Sequence, residues 1–306
     1  EIWFSPLALA LLGLCVGSFL NVVAYRLPKV LERQWWLDVA QSQLGDAEAW
    51  QRVSGHKGSL PAAFGQSAKT IADTLEALPP LSLSRPRSRC PHCGHVLRWH
   101  ENLPLLGWLR LKGRCSACGK AISGRYPLVE LATAVLFAAC GWKFGAQAQT
   151  LLWCAAIALM VAMALIDLDT TYLPDDLTLP LIGLGLLGAG LGWTGTRLED
   201  AAWGAFAGYG ALWLLAFSYK KIRGVDGMGE GDFKLLAGLG ALLGWQLLPS
   251  IVLLASAVGA AVGIGLIAFG GHKREVPIPF GPYLVGGGIA AIFFGQPLTR
   301  LWFPTL

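Results

Sequence analysis

Long apolar runs are the feature of this sequence that most restricts its fold. A bilayer core is crossed by about 20 mostly apolar helical residues, and the chain contains eight such runs, of which the second, sixth and eighth are short. With 54% hydrophobic residues, only 14% charged residues and 7 cysteines among 306 residues, disordered, collagen-like and disulfide-scaffold proteins are excluded. The sequence therefore predicts an all-α polytopic membrane protein with about eight transmembrane helices. The runs are 2–24, 128–142, 150–166, 177–193, 201–219, 233–245, 250–269 and 283–294.

Basic residues are concentrated between the first two runs. Of the 24 Lys and Arg, 15 lie in residues 26–125 against 7 Asp and Glu, a local excess of +8. Because cytoplasmic loops carry an excess of Lys and Arg, this segment is predicted to be cytoplasmic. Threading eight spans from it places 21 of the 24 basic residues on that side, among them Lys273 and Arg274, and leaves Lys143, Arg197 and Arg300 on the other.

This topology predicts three regions. Residues 1–25 form the first transmembrane helix, 26–127 a cytosolic loop, and 128–306 a seven-helix membrane core. The run 2–24 lacks the basic start of a secretory signal and is interpreted as a retained span. Residues 32–84 are predicted to form a partly helical cytosolic arm.

Two CxxC pairs lie in the cytosolic loop. Cys90 and Cys93 are separated by 21 residues from Cys115 and Cys118, which is close to the usual spacing of a tetrahedral four-thiolate zinc site. A reducing cytosol disfavours two disulfides as the alternative. Four thiolates predict a closed structural zinc site rather than a catalytic one, although a nearby histidine could replace one ligand.

Acidic residues stand at the predicted cytoplasmic ends of the third and sixth runs. Carboxylates near a bilayer core are costly and are therefore functional candidates. Asp167 and Asp232 could face each other across a small gap, where one would hold a proton while the other acts as a base towards water. For Asp169 a functional role and a solvated helix-capping role are about equally favoured. For the remaining acids a solvated helix-capping role is favoured; these are Asp175, Asp176, Asp226 and Glu230.

The residues alone leave three functions open. A protease would use the acid pair on a peptide bond, a transporter would bind protons or cations with it, and a non-enzymatic assembly factor would use the zinc loop for docking. Acids at one surface rather than near the midplane disfavour the transporter. A nucleotide loop at Gly227 is rejected because GxGxxG is not matched and no strand precedes it, and no nucleic-acid partner is expected.

Motifs in a fixed order then resemble one family, the bifunctional type IV prepilin leader peptidases with N-methyltransferase activity. They cover nearly the whole chain: GSFLNVVAYRLP (17–28), CPHC, ENLPLLGWL (101–109), CSAC, RYPLVEL (125–131), LIDLDTTYLPD (165–175), GMGEGDFK (227–234) and PIPFGPYL (277–284). The resemblance implies a GxGD-type aspartic membrane protease whose catalytic residues are Asp167 and Asp232. It also implies cleavage after the glycine that ends the basic leader of prepilins and type II secretion pseudopilins, at the cytoplasmic face of the bacterial inner membrane.

The same resemblance implies a second activity, which is methylation of the new amino terminus with S-adenosylmethionine as donor. The family's zinc-binding loop is associated with this activity. Glu101, Gly113 and Arg114 are therefore the candidate residues for binding the methyl donor.

Overall fold

The fold is helical throughout the part of the chain that the structure describes. The computed structural model describes residues 4–45, 52, 62–225, 227–269 and 278–300, so Asp226, Lys273 and Arg274 lie outside the described residues. Within them, β-structure is limited to two isolated bridges. The predicted all-α class is confirmed. The helices are α1 Pro6–Gly45, α2 Ala62–Glu76, α3 Leu106–Arg110, α4 Arg125–Phe144, α5 Ala148–Thr170, α6 Asp175–Gly190, α7 Leu198–Arg223, α8 Glu230–Leu243, α9 Leu248–Phe269 and α10 Gly281–Arg300.

Each of the eight apolar runs coincides with one of these helices. Five helices are long and apolar enough to cross a membrane by length and composition, namely α1, α4, α5, α7 and the 245–269 segment that contains α9. The other three are shorter: α6 has 16 residues, α8 has 14, and the apolar part of α10 is Gly281–Gly295. The chain is therefore a multi-pass membrane protein, while the number of eight complete spans stays a prediction.

The chain divides into two compact units. The smaller unit, residues 25–97, contains the polar half of α1 and the helix α2. There, Arg26 donates to the carbonyl oxygens of Ser82 and Leu83 at 3.1 and 3.2 Å, and Arg33 donates to that of Pro79 at 2.9 Å. Guanidinium groups of α1 thus satisfy the carbonyl groups of the irregular segment that follows α2.

The larger unit, residues 1–24 and 98–306, is organised around the short helix α8. From Phe233 to Leu242 almost every residue of α8 is buried. Helix α7 lies against it at Gly204, whose added Cβ would collide with the carbonyl oxygen of Gly240. On another side α6 approaches at Gly185, whose Cβ would lie 2.7 Å from backbone atoms of α8. Small residues permit this close backbone approach in membrane helices.

Helices α1 and α4 of the larger unit pack in the same way. A Cβ on Gly13 would lie 2.7 Å from the Cα of Ala134, and one on Gly17 would lie 2.7 Å from that of Glu130. Asn21 donates its side-chain amide to the carbonyl oxygens of Gly17 and Tyr126. The first membrane helix is therefore fixed to α4 by backbone proximity and by a polar contact.

Candidate active site and cysteine cluster

The structure brings Asp167 and Asp232 together. Asp167 lies in the last turn of α5 and is only 4% exposed. Asp232 lies in the first turn of α8, and its Oδ1 is buried without a hydrogen-bond partner among the described residues. The two carboxylates are near enough to interact electrostatically. Because like charges repel in a poorly solvated site, the arrangement disfavours ionisation of both acids at once.

Asp167 is oriented by the backbone at the start of α10. The N–H of Gly281 donates to its Oδ2 at 2.9 Å. A Cβ on Gly281 would lie only 2.7 Å from the same oxygen. Glycine at this position therefore lets the amide come within hydrogen-bonding distance of the carboxylate.

Leu173 packs between the three segments that form the site. It lies in the loop after α5, and its side chain is buried. A Cβ on Gly231 would stand 2.5 Å from the Leu173 Cβ, and one on Gly281 would stand 3.2 Å from its Cδ1. The motifs LIDLDTTYLPD, GMGEGDFK and PIPFGPYL, which are far apart in sequence, thus meet around one leucine.

Two ion pairs flank the aspartate pair. Arg125 donates to both carboxylate oxygens of Asp169 at 2.6 and 2.8 Å, and Lys234 does the same to Asp175 at 2.7 and 2.9 Å. Such exposed pairs add little stability, but they neutralise the outer carboxylates. Among the residues that the structure describes, neither Asp167 nor Asp232 forms an ion pair with a basic side chain.

The remaining acids take the surface positions that the sequence favours. Asp176 and Glu230 stand in the first turns of α6 and α8 and are exposed. Acids in the first turn of a helix interact favourably with its dipole.

The two CxxC segments have the same local structure. In the first, the N–H of Cys90 donates to the carbonyl oxygen of His95 at 2.8 Å, and the N–H of Gly94 donates to the carbonyl oxygen of Cys90 at 3.0 Å. In the second, the N–H of Cys115 donates to the carbonyl oxygen of Lys120, and the N–H of Gly119 donates to the carbonyl oxygen of Cys115, both at 2.9 Å. An isolated bridge closes each turn, and the glycine after each second cysteine has a positive φ, 73° and 70°. Each turn therefore presents its two sulfurs on one side.

The four predicted ligands form one cluster. The Sγ atoms of Cys90, Cys93, Cys115 and Cys118 all lie within 4.8 Å of one another. In tetrahedral zinc sites Zn–S distances are about 2.3 Å, which places the sulfurs roughly 3.8 Å apart. The donor set and its spacing therefore fit a metal ion bound by four thiolates.

The candidate methyl-transfer residues lie in the segment between the cysteine pairs. Gly113 is buried with φ +68°, and a Cβ there would stand 2.8 Å from the Trp108 ring. Arg114 is exposed and precedes Cys115 directly. Glu101 accepts a hydrogen bond from the N–H of Arg98 at 2.7 Å. Binding of a methyl donor by these residues stays a prediction.

Sequence reasoning missed a second buried carboxylate. Glu130, in α4, is 7% exposed, and its Oε2 accepts the N–H of Leu105 at 2.7 Å. Leu105 has a positive φ of 55°, so this contact holds a strained turn of the ENLPLLGWL segment. An acid inside the apolar stretch RYPLVEL is the signal that could have identified it.

The fold and the site together define a class of protein, a helical multi-pass membrane protein that brings a buried and a half-buried aspartate together from separate helices. Comparison with known families matches residues 11–144 to the Bacterial Peptidase A24 N-terminal domain and residues 154–264 to the Type IV leader peptidase family. The chain belongs to the type IV leader peptidase family.

Curated relatives agree over nearly the full length. A protein of Aeromonas hydrophila is 45% identical over 303 residues, covering 99% of this chain and 95% of the relative. A protein of Burkholderia pseudomallei (strain 1026b) is 44% identical, and the match covers 95% of this chain and 85% of the relative. A protein of Pseudomonas aeruginosa is 43% identical, and the match covers 95% of this chain and 91% of the relative. All three are named prepilin leader peptidase/N-methyltransferase. No solved structure matches the chain.

Proposed function

We propose that this chain removes the short basic leader of type IV prepilins and type II secretion pseudopilins and then N-methylates the new amino terminus. The observation that carries the peptidase activity is the proximity of Asp167, which is buried, to Asp232, which is half-buried and has a buried Oδ1. The names of the relatives support both activities.

In this proposal the two aspartates act as an acid–base pair. The ionised carboxylate takes a proton from a water molecule, whose oxygen attacks the carbonyl carbon of the glycine that ends the leader. The protonated carboxyl donates to the carbonyl oxygen, and a proton then passes to the amine as the C–N bond breaks. The products are a leader with a free carboxylate and a prepilin with a free amino terminus.

Asp167 is the better candidate for the ionised member. Its Oδ2 receives the Gly281 N–H, and a donor stabilises the charged form of a carboxylate. Asp232 Oδ1 has no such partner in the described part of the chain.

The proposed location is the bacterial inner membrane, with the acid pair and the cysteine cluster on the cytoplasmic side. Arg125, at one end of α4, pairs with Asp169 next to Asp167. Lys143, at the other end of α4, donates to a carbonyl of α10. The charges that the positive-inside rule assigns to the cytoplasmic and external sides therefore lie at opposite ends of the same helix.

The cysteine cluster is proposed to hold one zinc ion as a structural centre. Its thiolates would connect the two CxxC turns, so the segment from Cys90 to Cys118 would depend on the metal for its fold. S-adenosylmethionine is the proposed methyl donor, bound near Glu101, Gly113 and Arg114.

Mass spectrometry of a prepilin incubated with the full chain in membranes tests both activities. Leader loss and the gain of one methyl group appear in the same spectrum. Asp167→Asn and Asp232→Asn keep the side-chain size and should each lower leader cleavage by more than about 1,000-fold.

Asp176→Asn is the matched control, because Asp176 is exposed near the same membrane end. It should retain cleavage within about twofold. Full cleavage by both site variants would refute the assignment of the acid pair. An unmethylated cleaved product with S-adenosylmethionine present would refute the second activity alone.

A further inference from the structure

A cavity of about 630 Å³ lies at the end of the larger unit away from the aspartate pair. Helix α5 spans the distance between them, since Trp153 lines the cavity and Asp167 is 14 residues further on, or about 21 Å along the axis. No acidic residue is among the described residues that line it. Its lining includes Lys143, Trp153, Thr194, Thr196, Ile292 and Arg300.

Trp153 lines this cavity and carries an unpaired donor. The residue is 3% exposed, and its Nε1 is buried without a hydrogen-bond partner among the described residues. Its ring is held by stacking on Phe144, with centroids 5.0 Å apart and an interplanar angle of 8°. A buried N–H group without an acceptor is unfavourable, so the position calls for an acceptor atom that the described residues do not supply.

Two basic side chains give the cavity a positive charge. The ammonium group of Lys143 donates to the carbonyl oxygen of Phe293 at 2.6 Å. That carbonyl lies where α10 departs from helical geometry at Phe294, with φ −122° and ψ 24°. Lys143 is thus held in place with two further N–H groups available, and Arg300 adds a guanidinium. Neither has a carboxylate partner within the described ranges.

Exposed tryptophans mark the depth of the cavity. Trp142 is 87% exposed at the end of α4, Trp193 is 38% exposed just after α6, and Trp245 is 39% exposed before α9. Tryptophan is enriched where lipid head groups meet the hydrocarbon core. The cavity therefore lies at head-group level, and its walls combine basic and hydroxyl groups with apolar residues such as Ile292.

We propose that this cavity binds the phosphate-bearing head group of an anionic membrane lipid. A phosphate oxygen accepts the Trp153 N–H, Lys143 and Arg300 neutralise its charge, and the acyl chains lie along the apolar surface of the bundle. Basic pockets between membrane helices bind anionic lipid head groups on the cytoplasmic side of membranes, and the same pairing of basic and apolar groups occurs here at the opposite end of the bundle. The site is independent of the proposed peptidase activity, because none of its residues belongs to the aspartate pair.

Native mass spectrometry of the full chain in detergent tests the proposal, with phosphatidylglycerol, phosphatidylethanolamine and inorganic phosphate as separate probes. Wild-type protein should bind one phosphatidylglycerol at least about tenfold more tightly than phosphatidylethanolamine, because only the former has a net negative head group. The double variant Lys143→Gln/Arg300→Gln should lose that preference. Trp153→Phe keeps the stacked ring, removes the N–H, and should weaken phosphatidylglycerol binding by about three- to tenfold.

Matched controls separate this site from general lipid attraction. Lys220→Gln/Lys221→Gln removes the same charge from the far end of α7, and Trp142→Phe changes an exposed tryptophan outside the cavity; both should bind like wild type. Equal binding of both lipids, or unchanged binding by the cavity variants, would overturn the proposal. If inorganic phosphate alone binds as tightly as the lipid, the occupant is a soluble oxyanion and the lipid assignment is wrong.

Discussion

The contact between Gly281 and Asp167 makes Gly281→Ala a sensitive probe of the acid pair. The added methyl group would stand 2.7 Å from Asp167 Oδ2, whereas ordinary contact begins at 3.4 Å. The carboxylate must therefore move by about 0.7 Å. The atom that moves is the end of a flexible side chain, so the cost in folding free energy is small. A displacement near 1 Å in a catalytic group costs about 100-fold in rate, and we expect a 10- to 100-fold loss of leader cleavage.

The assay compares kcat/KM for leader cleavage with the thermal unfolding midpoint of the same preparation. Gly286→Ala is the control, since it lies in the same helix and its Cβ would meet nothing within 4 Å. Gly281→Ala should lose activity while its midpoint stays within about 3 °C of wild type, and Gly286→Ala should keep both. Cleavage by Gly281→Ala within twofold of wild type would show that the position of Asp167 does not control the reaction.

Three further predictions concern the glycines and the cysteine cluster. In Gly231→Ala the added Cβ would lie 2.5 Å from the Cβ of Leu173, and leader cleavage should fall at least about tenfold. Gly229→Ala is the control, because its Cβ would meet nothing within 4 Å and cleavage should not change. Equal activities of the two variants would contradict the packing around Leu173. Gly204→Ala forces α7 away from a backbone oxygen of α8 and should destabilise the protein by about 1–3 kcal/mol. Gly210→Ala on the same helix meets nothing and should leave thermal unfolding unchanged. Cys115→Ser should release zinc, measured by metal analysis, and should lower methylation more than cleavage; the reverse order would refute the assigned roles.

The positions of the helices could be predicted from the sequence because a continuous apolar run has few alternatives to a helix in lipid. The ends were less predictable. The first run ends at Ala24, yet α1 continues to Gly45 through Pro28. Hydropathy reports where apolar residues stop, whereas a helix continues for as long as its residues tolerate helical geometry.

The candidate site was predictable where residue type alone is informative. Two acids beside apolar runs and two CxxC pairs are rare enough to be noticed, and the structure brings the members of each set together. The Gly281 amide was not predictable, because a backbone group has no signature in the sequence. Glu130 was overlooked because its role depends on the turn at Leu105 that it holds, which lies 25 residues away.

The shortness of α8 has a consequence for hydrolysis. Its 14 residues extend about 21 Å, whereas the hydrocarbon core is about 30 Å thick. If the end near Trp245 lies at the outer interface, the end with Asp232 lies on the cytoplasmic side of the midplane but short of the opposite interface. A helix that ends there would not cover the acid pair with further turns, and water would then reach a peptide bond at that depth. Hydration of the acid pair would then follow from the length of one helix, with no need for a moving gate.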